Sequence, residues 1–256
     1  ANNSENQKAL IDCSAGTVAM TVLEKYKSVG SIVAQVCLTI GAFVQHPTSL
    51  KQLKNVHQLL VSVLESHFHH ASVTQEATQA ILNLTQLDAE NCDMLLSVGA
   101  TGILFKILTN HSSFFRPQTT VNTCQIFHYL CQSNKNVAVD LCNGMPSVGR
   151  SGSKDIKNAG ISFILTEILN NIDEYSPKTC NSSSTNRDLH EKVPFSSALK
   201  RKQNISLISA VLTLLHCLVE QFPGVISDLF PGKSEVAPWV TVTTSLKQIY
   251  NTTNNH

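Results

Sequence analysis

Two stretches of the chain, NQKALIDCSAGTVAMTVL at residues 6–23 and NCDMLLSVGATGILFKIL at residues 91–108, align without a gap. The offset between them is 85 residues, or two periods of about 42. In both copies a start at Asn leads through an apolar run into a turn that contains Gly, and then into a second apolar run. Repetition at such a period is typical of proteins built from stacked supersecondary units. The fold is therefore expected to be a repeat array.

Further copies and a second type of segment complete the pattern. Residues 56–64, VHQLLVSVL, supply an intermediate copy 41 residues after the first, and residues 158–169 follow the third copy at an offset of 61, which predicts an insertion. Longer segments with apolar residues at helical spacing, such as Val33, Cys37 and Ile40, alternate with these copies. Each unit is expected to be a short helix, a turn, a second helix and a longer third helix. A unit this small cannot bury its own faces, so neighbouring units are expected to stack. The predicted third helices are residues 31–45, 73–86, 119–132 and 205–221.

These residues resemble a known family. Residues 76–84, EATQAILNL, followed by residues 91–108, are similar to the armadillo repeat, with its Asn-rich first helix, Ala-Gly turn, apolar second helix and "Ala-Leu-x-Asn-Leu" third helix. HEAT repeats share the period, but their Pro and their Asp/Arg pair are not found here. The resemblance implies an all-α fold, a right-handed α-solenoid of armadillo/HEAT-like helical repeats.

A single solenoid is expected to span residues 1–256. Its units are placed at about 5–45, 48–86, 88–132 and 135–221, with a partial cap at 223–250. Residues 144–157 and 171–203, rich in Gly, Ser and Pro, are predicted to be flexible insertions. Residues 144–204 hold nine of the nineteen basic and six of the eighteen acidic residues, so this region is locally net +3.

Composition limits the classes of partner. Charged residues are 14% of the chain and the formal net charge is +1, which argues against a polybasic nucleic-acid domain. Two stretches with little or no charge, Ser28–Leu50 and Ile205–Val219, are interpreted as buried helices, because the first contains polar residues and the second is too short to span a bilayer. Nucleic-acid binding and membrane insertion are not expected.

Cysteine usage favours a reduced compartment. The eight cysteines include no CxxC pair, and most lie in apolar helical runs, where a thiol packs as a small hydrophobe. The chain is therefore expected to be cytoplasmic, with a nuclear or cytoskeleton-associated location as the alternative. A secreted chain would account for the glycosylation sequons, although many are expected by chance in a sequence rich in Asn, Ser and Thr. These sequons begin at Asn2, Asn83, Asn110, Asn181, Asn204 and Asn251.

No catalytic motif is present in the sequence. It lacks a G-x-S-x-G elbow, a P-loop, H-E-x-x-H and a dinucleotide fingerprint. The cluster His67-Phe-His-His70 has no further ligand at metal-binding spacing and falls at a predicted helix end. The expectation is therefore no enzyme, no cofactor, no metal and no small-molecule substrate.

The armadillo resemblance also implies where a partner would bind. In armadillo proteins that bind extended peptides, third helices line a concave groove, and an Asn near the end of each one bonds the peptide backbone. The matching positions here are Ala42, Asn83, Tyr129 and Cys217, of which only Asn83 is Asn. An importin-like ladder is therefore not expected. A groove that meets a folded or helical protein partner through side chains is predicted instead, and the alternatives are an import-receptor-like groove and a purely structural solenoid. The predicted partner-binding residues are Gln35, Gln79, Asn83, His128 and Tyr129.

Two functions follow from this prediction. The first is a non-catalytic scaffold or adaptor that holds a protein partner along its concave third-helix surface, as one segment of a larger cytoskeletal, ciliary or nuclear scaffold. The alternative is a regulatory module that changes the activity of a partner enzyme, as co-chaperones and nucleotide-exchange factors do. A changed exchange rate in the partner would distinguish the second from the first.

Overall fold

The computed structural model describes residues 4–45, 49–110, 117–143, 161, 164–165 and 195–221. Every regular element in these ranges is helical, which confirms the predicted all-α class. A short 3-10 helix at Leu50–Gln52 precedes the fourth α-helix. In chain order the α-helices are α1 Ser4–Asp12, α2 Ala15–Lys25, α3 Gly30–Val44, α4 Val56–His67, α5 Ala71–Thr85, α6 Ala89–Ser97, α7 Ala100–Asn110, α8 Pro117–Ser133, α9 Lys135–Cys142 and α10 Phe195–Gln221.

Four of these helices form a layer through the molecule. Helix α3 packs along α5, α5 along α8, and α8 along α10. They coincide with the four predicted third helices, so we call them the third-helix layer. Helix α4 contacts α5 of its own predicted unit, and it also contacts α6 and α7 of the next one. The buried side chains of all these helices belong to one continuous core.

The third helices share one pattern of burial. Aligned at an offset of 41 residues, α3 matches α5, and at an offset of 46, α5 matches α8. Ile40, Ile81 and Phe127 are then equivalent, and all three are 0% exposed. Helical spacing of such apolar residues creates a stripe that is stable only when another helix covers it. The two offsets thus define equivalent positions in α3, α5 and α8.

The turn before the second helix of a unit also repeats. Ser14, Asn55 and Gly99 have φ angles of 59°, 57° and 78°, and they are the described residues with positive φ. Asn55 and Gly99 lie 41 and 85 residues after Ser14, which are the offsets between the sequence copies. Glycine adopts this left-handed conformation without steric cost, and Asn tolerates it better than most residues. The repetition in the sequence therefore extends to the backbone.

Helix α10 begins earlier than predicted. The flexible insertion was expected to continue to residue 203, whereas the helix starts at Phe195. The sequence after Phe195 includes Ala198, Leu199 and Lys200, all strong helix formers, which accounts for the longer helix. This corrects the prediction for residues 195–203. Residues 144–157, 171–194 and the predicted cap at 223–250 lie outside the described residues.

One described helical segment, Asn204–Gln221, is long and apolar enough to cross a membrane. Helices α6 and α7, which meet at 82°, pass the same test only if they are taken together as one broken span. Within α10, Val211 and Leu214 are 0% exposed, and the helix packs along α8. In this structure the apolar side of the segment serves the packing of the third-helix layer.

Candidate protein-binding face

The third-helix layer presents two rows of accessible side chains at equivalent positions. One row places the half-exposed Leu38 in line with the partly buried Gln79 and Gln125. The other row lies one helical turn further along each helix. We call these two rows the third-helix face, and they consist of Leu38, Gln79 and Gln125, and of Ala42, Asn83 and Tyr129.

The amide of Asn83 is used inside the protein. Its Nδ2 donates to the backbone carbonyl oxygen of Gly41 on α3 at 2.8 Å, and its Oδ1 accepts a hydrogen bond from Gln79 Nε2 at 3.0 Å. Gly41 faces α5 at this point, where a Cβ would meet Cα of Ala80 at 3.5 Å, an ordinary van der Waals distance. The two predicted binding residues Gln79 and Asn83 thus lie side by side, and Asn83 also ties α5 to α3.

A second pair of amides forms the same arrangement one helix further on. Gln118 Nε2 donates to Asn122 Oδ1 at 2.9 Å, and Asn122 Nδ2 donates to Thr78 Oγ1 of α5 at 3.3 Å. Asn122 is 0% exposed. Burial of an amide without hydrogen-bond partners costs free energy, and these hydrogen bonds avoid that cost. They therefore account for an Asn at a core position. Sequence reasoning missed it, although the spacing Gln-x-x-x-Asn occurs at residues 79–83 and again at 118–122.

Almost no charge lies on the first three third helices. Helices α3, α5 and α8 together contain one Asp, Glu, Lys or Arg, which is Glu76. Its side chain is partly buried and faces α3, where it adds to the effect of burial in raising the pKa of Cys37 to about 12. A partner on the third-helix face would therefore meet amides, an aromatic ring and apolar groups rather than ions.

His128 lies at the boundary between α8 and α10. Its ring packs edge-on against Tyr129, with 5.5 Å between the centroids. Burial lowers the pKa of His128, and the nearby imidazole of His216 lowers it further, while Glu220 opposes them. Nδ1 of His128 is buried and has no hydrogen-bond partner among the described residues. On α10, His216 Nδ1 lies 3.6 Å from a carboxylate oxygen of Glu220.

The five predicted binding residues do not form one cluster. Gln79 and Asn83 are hydrogen-bonded neighbours, and His128 packs on Tyr129. Gln35 occupies another row, equivalent to Glu76 and Asn122. Glu76 acts on Cys37 of α3 and Asn122 bonds Thr78 of α5, so this row points toward the preceding third helix. Exposed Gln35 therefore lies on the side of α3 away from α5.

The histidine cluster joins neighbouring units. His67 Nε2 makes a hydrogen bond of 2.6 Å with the carbonyl oxygen of Lys27, in the loop before α3. The ring of His70 lies under Gly30, where an added Cβ would come within 2.8 Å of it. Nζ of Lys106 on α7 lies 3.8 Å from the ring centroid of Phe68. In the ranges that the structure describes, no group of three His, Cys, Asp or Glu side chains is arranged to hold a metal ion.

The thiols follow the same division between core and surface. Cys13 is exposed, whereas Cys37, Cys92, Cys124, Cys131 and Cys217 are buried, and all six are free thiols. Burial raises the pKa of Cys124 to about 12 and that of Cys131 still further. A thiol in such a site is a poor nucleophile, because it is the thiolate that reacts. These buried cysteines serve as core residues.

Comparison with known proteins identifies no family for this chain. No protein-family model matches the chain, and no curated protein matches it significantly. Two solved structures, both described as engineered proteins from a structural genomics consortium, are similar at a low level. One is 14% identical with a TM-score of 0.41, over 90% of this chain and 57% of that chain, so this chain spans little more than half its length. The other is 11% identical with a TM-score of 0.39, over 93% of this chain and 97% of that chain.

Proposed function

We propose that the chain is a non-catalytic adaptor, an armadillo-like right-handed α-solenoid that holds a protein partner on its third-helix face. Stacked repeats give an extended surface on which many modest contacts supply affinity without a deep pocket. The alternation of the sequence copies, the repeated left-handed turn and the order of the third helices support the solenoid. The accessible rows of that layer support the site.

The observation that carries the proposal is that the third-helix face contains no charged residue and runs across α3, α5 and α8. Leu38 is 50% exposed in the same row as Gln79 and Gln125, so an apolar anchor lies beside amides that can both donate and accept hydrogen bonds. Tyr129 adds a large amphipathic ring of the kind enriched at protein interfaces. Such a face suits a folded or helical protein segment with few charges.

The structure adds one requirement to that binding mode. Because Asn83 already donates to Gly41 and accepts from Gln79, part of its hydrogen-bonding capacity is spent within the protein. The remaining N–H and lone pair are what it can offer a partner. The more accessible Leu38 and the half-buried Gln125 are therefore better probes of binding, since changing them breaks none of the hydrogen bonds between the third helices.

The experiment places a photo-reactive benzoylphenylalanine at Leu38, at Gln125 or, as a control, at the exposed Gln58 on α4. Proteins cross-linked in a eukaryotic cell lysate are identified by mass spectrometry, and binding is then measured with the purified partner. We expect one partner to be cross-linked from Leu38 and Gln125 and not from Gln58. Salt screens exposed ion pairs strongly, and the third-helix face has no charged residue to form them. The affinity should therefore change less than about threefold between about 0.1 and about 0.5 M salt.

Two outcomes would contradict the proposal. Cross-linking from Gln58 alone would place the binding surface on α4 instead of on the third-helix face. A complex that dissociates as salt is raised would require a charged surface, which α3, α5 and α8 do not have.

A further inference from the structure

An exposed amide or carboxylate side chain lies at the end of every third helix. At the ends of α3, α5 and α8 it is the amide of Gln45, Gln86 and Gln132. Helices α8 and α10 align at an offset of 88 residues, which pairs the buried Phe127 with the buried Leu215. At this offset, Gln132 matches the exposed Glu220. The row is therefore uncharged over three helices and ends in a carboxylate on the fourth.

The carboxylate of Glu220 lies at the boundary between α8 and α10. Its charge opposes the lowering of the pKa of His128 on α8, which places it near the ring that packs on Tyr129. The side chain is 67% exposed, and its Oε2 lies 3.6 Å from Nδ1 of His216, beyond hydrogen-bond distance. Glu220 thus lies next to the third-helix face, and its oxygens can accept hydrogen bonds from a partner.

Glu220 is the one carboxylate that the third-helix layer offers to a partner among its described side chains. The other Asp, Glu, Lys or Arg in that set is Glu76, which is partly buried and faces α3. In sequence α10 also contains residues 200–202, Lys-Arg-Lys, which precede Glu220 by at least 18 residues, or about 27 Å along the helix axis. A partner that covers the third-helix face and reaches the end of α10 therefore meets uncharged side chains first and a carboxylate last.

We propose that the partner segment on the third-helix face carries one Lys or Arg at its α10 end, paired with Glu220, and is uncharged where it crosses α3, α5 and α8. Desolvating a carboxylate without a cation would cost free energy, and an Arg guanidinium can donate two hydrogen bonds to it. Packed helices lie about 8–10 Å apart, so the path from Leu38 to Glu220 is about 30 Å. A helix of about 20 residues has that length. This inference rests on the proposed function and adds the direction in which the partner lies.

A phage-displayed library of random peptides of about 20 residues, selected against the whole chain, tests the proposal. We expect the selected peptides to carry one Lys or Arg near one end and to be otherwise uncharged. Selection against Glu220→Arg should exchange that residue for Asp or Glu, because the charge that it meets is reversed. For a synthetic peptide selected on the wild type, Glu220→Gln should weaken binding about threefold and Glu220→Arg about tenfold. Glu65→Arg is the matched control, since Glu65 is exposed on α4, and it should leave the affinity unchanged.

Leu38→Asp separates failure of this inference from failure of the proposed function. It places a charge at the apolar anchor of the third-helix face, so it should weaken binding of every selected peptide at least about tenfold. Leu38 and Glu220 are both exposed, so the variants should retain the circular dichroism of the wild type. Peptides that need Leu38 but show no preferred charge, or that bind Glu220→Arg as tightly as the wild type, would overturn this inference alone. The absence of any peptide that depends on Leu38 would overturn both.

Discussion

Replacing Asn122 with alanine should destabilise the protein by about 2–3 kcal/mol. The change removes the hydrogen bond that Asn122 donates to Thr78 Oγ1, which contributes about 1 kcal/mol net, and the one that it accepts from Gln118, which contributes less. Because Asn122 is 0% exposed, the loss of its side-chain atoms also leaves a small cavity, which adds about 1 kcal/mol. Gln118 is exposed and can bond water instead, so its loss adds little.

The assay is urea unfolding followed by far-ultraviolet circular dichroism, with thermal unfolding beside it. For a chain of this size the loss corresponds to a decrease in Tm of about 5–10 °C. Gln132→Ala is the control, because Gln132 is exposed on the same helix and its truncation should change stability by less than about 0.5 kcal/mol.

A double-mutant cycle with Thr78→Val isolates the contact between the two helices. The two changes together should cost less than the sum of the single changes by about 0.5–1 kcal/mol. A cost below about 0.5 kcal/mol for Asn122→Ala, or strictly additive effects, would refute the claim that this amide joins α5 to α8.

Three other predictions use different parts of the molecule. The pKa of His128 is lowered in the folded protein relative to its ordinary 6.5, so its contribution to stability is complete above that pH and is lost as the pH falls. Urea unfolding between pH 7.5 and 5 should therefore show a steeper decline in the free energy of unfolding for the wild type than for His128→Gln. Parallel declines in the two proteins would contradict this prediction. Iodoacetamide at pH 8, mapped by mass spectrometry, should label exposed Cys13 at least tenfold faster than Cys37 or Cys124, and equal rates would contradict their burial. Gly99→Ala should destabilise the protein by about 1 kcal/mol, because Gly99 has a φ of 78°. Gly102 lies in α7 with open space around it, so Gly102→Ala should stabilise the protein by up to about 1 kcal/mol. Equal effects of the two changes in thermal unfolding would refute the role of the turn.

The sequence predicted the third helices well because their apolar spacing is regular. Residues 31–45 and 73–86 were predicted where the helices span Gly30–Val44 and Ala71–Thr85. The start of α10 was missed because residues 195–203 are mostly polar or charged and give no apolar stripe, although they include the strong helix formers Ala198, Leu199 and Lys200. Periodicity detects helices that bury a face and is insensitive to other helices.

The candidate site was harder to predict for a different reason. Whether Gln35 shares a face with Gln79 depends on the rotation of each helix about its axis. A change of one residue in the alignment turns a side chain by about 100°, so sequence alone does not fix this rotation. The structure places Gln35 in the row of Asn122 and not in that of Gln79. Asn122 itself was missed because a polar residue in a predicted core row has no sequence signal until its partner, Thr78, is known.

The left-handed turn shared by Ser14, Asn55 and Gly99 bears on how such a chain can change in length. The same backbone turn precedes each second helix, and Gln45, Gln86 and Gln132 end equivalent stretches of third helix. A whole unit can therefore be removed or added between such equivalent positions. Deletion or duplication of residues 46–86 would preserve both the turn and the rotation of the helices on either side. The length of the third-helix face can thus change by whole repeat units. An internal gene duplication can lengthen it without creating a new type of contact between units.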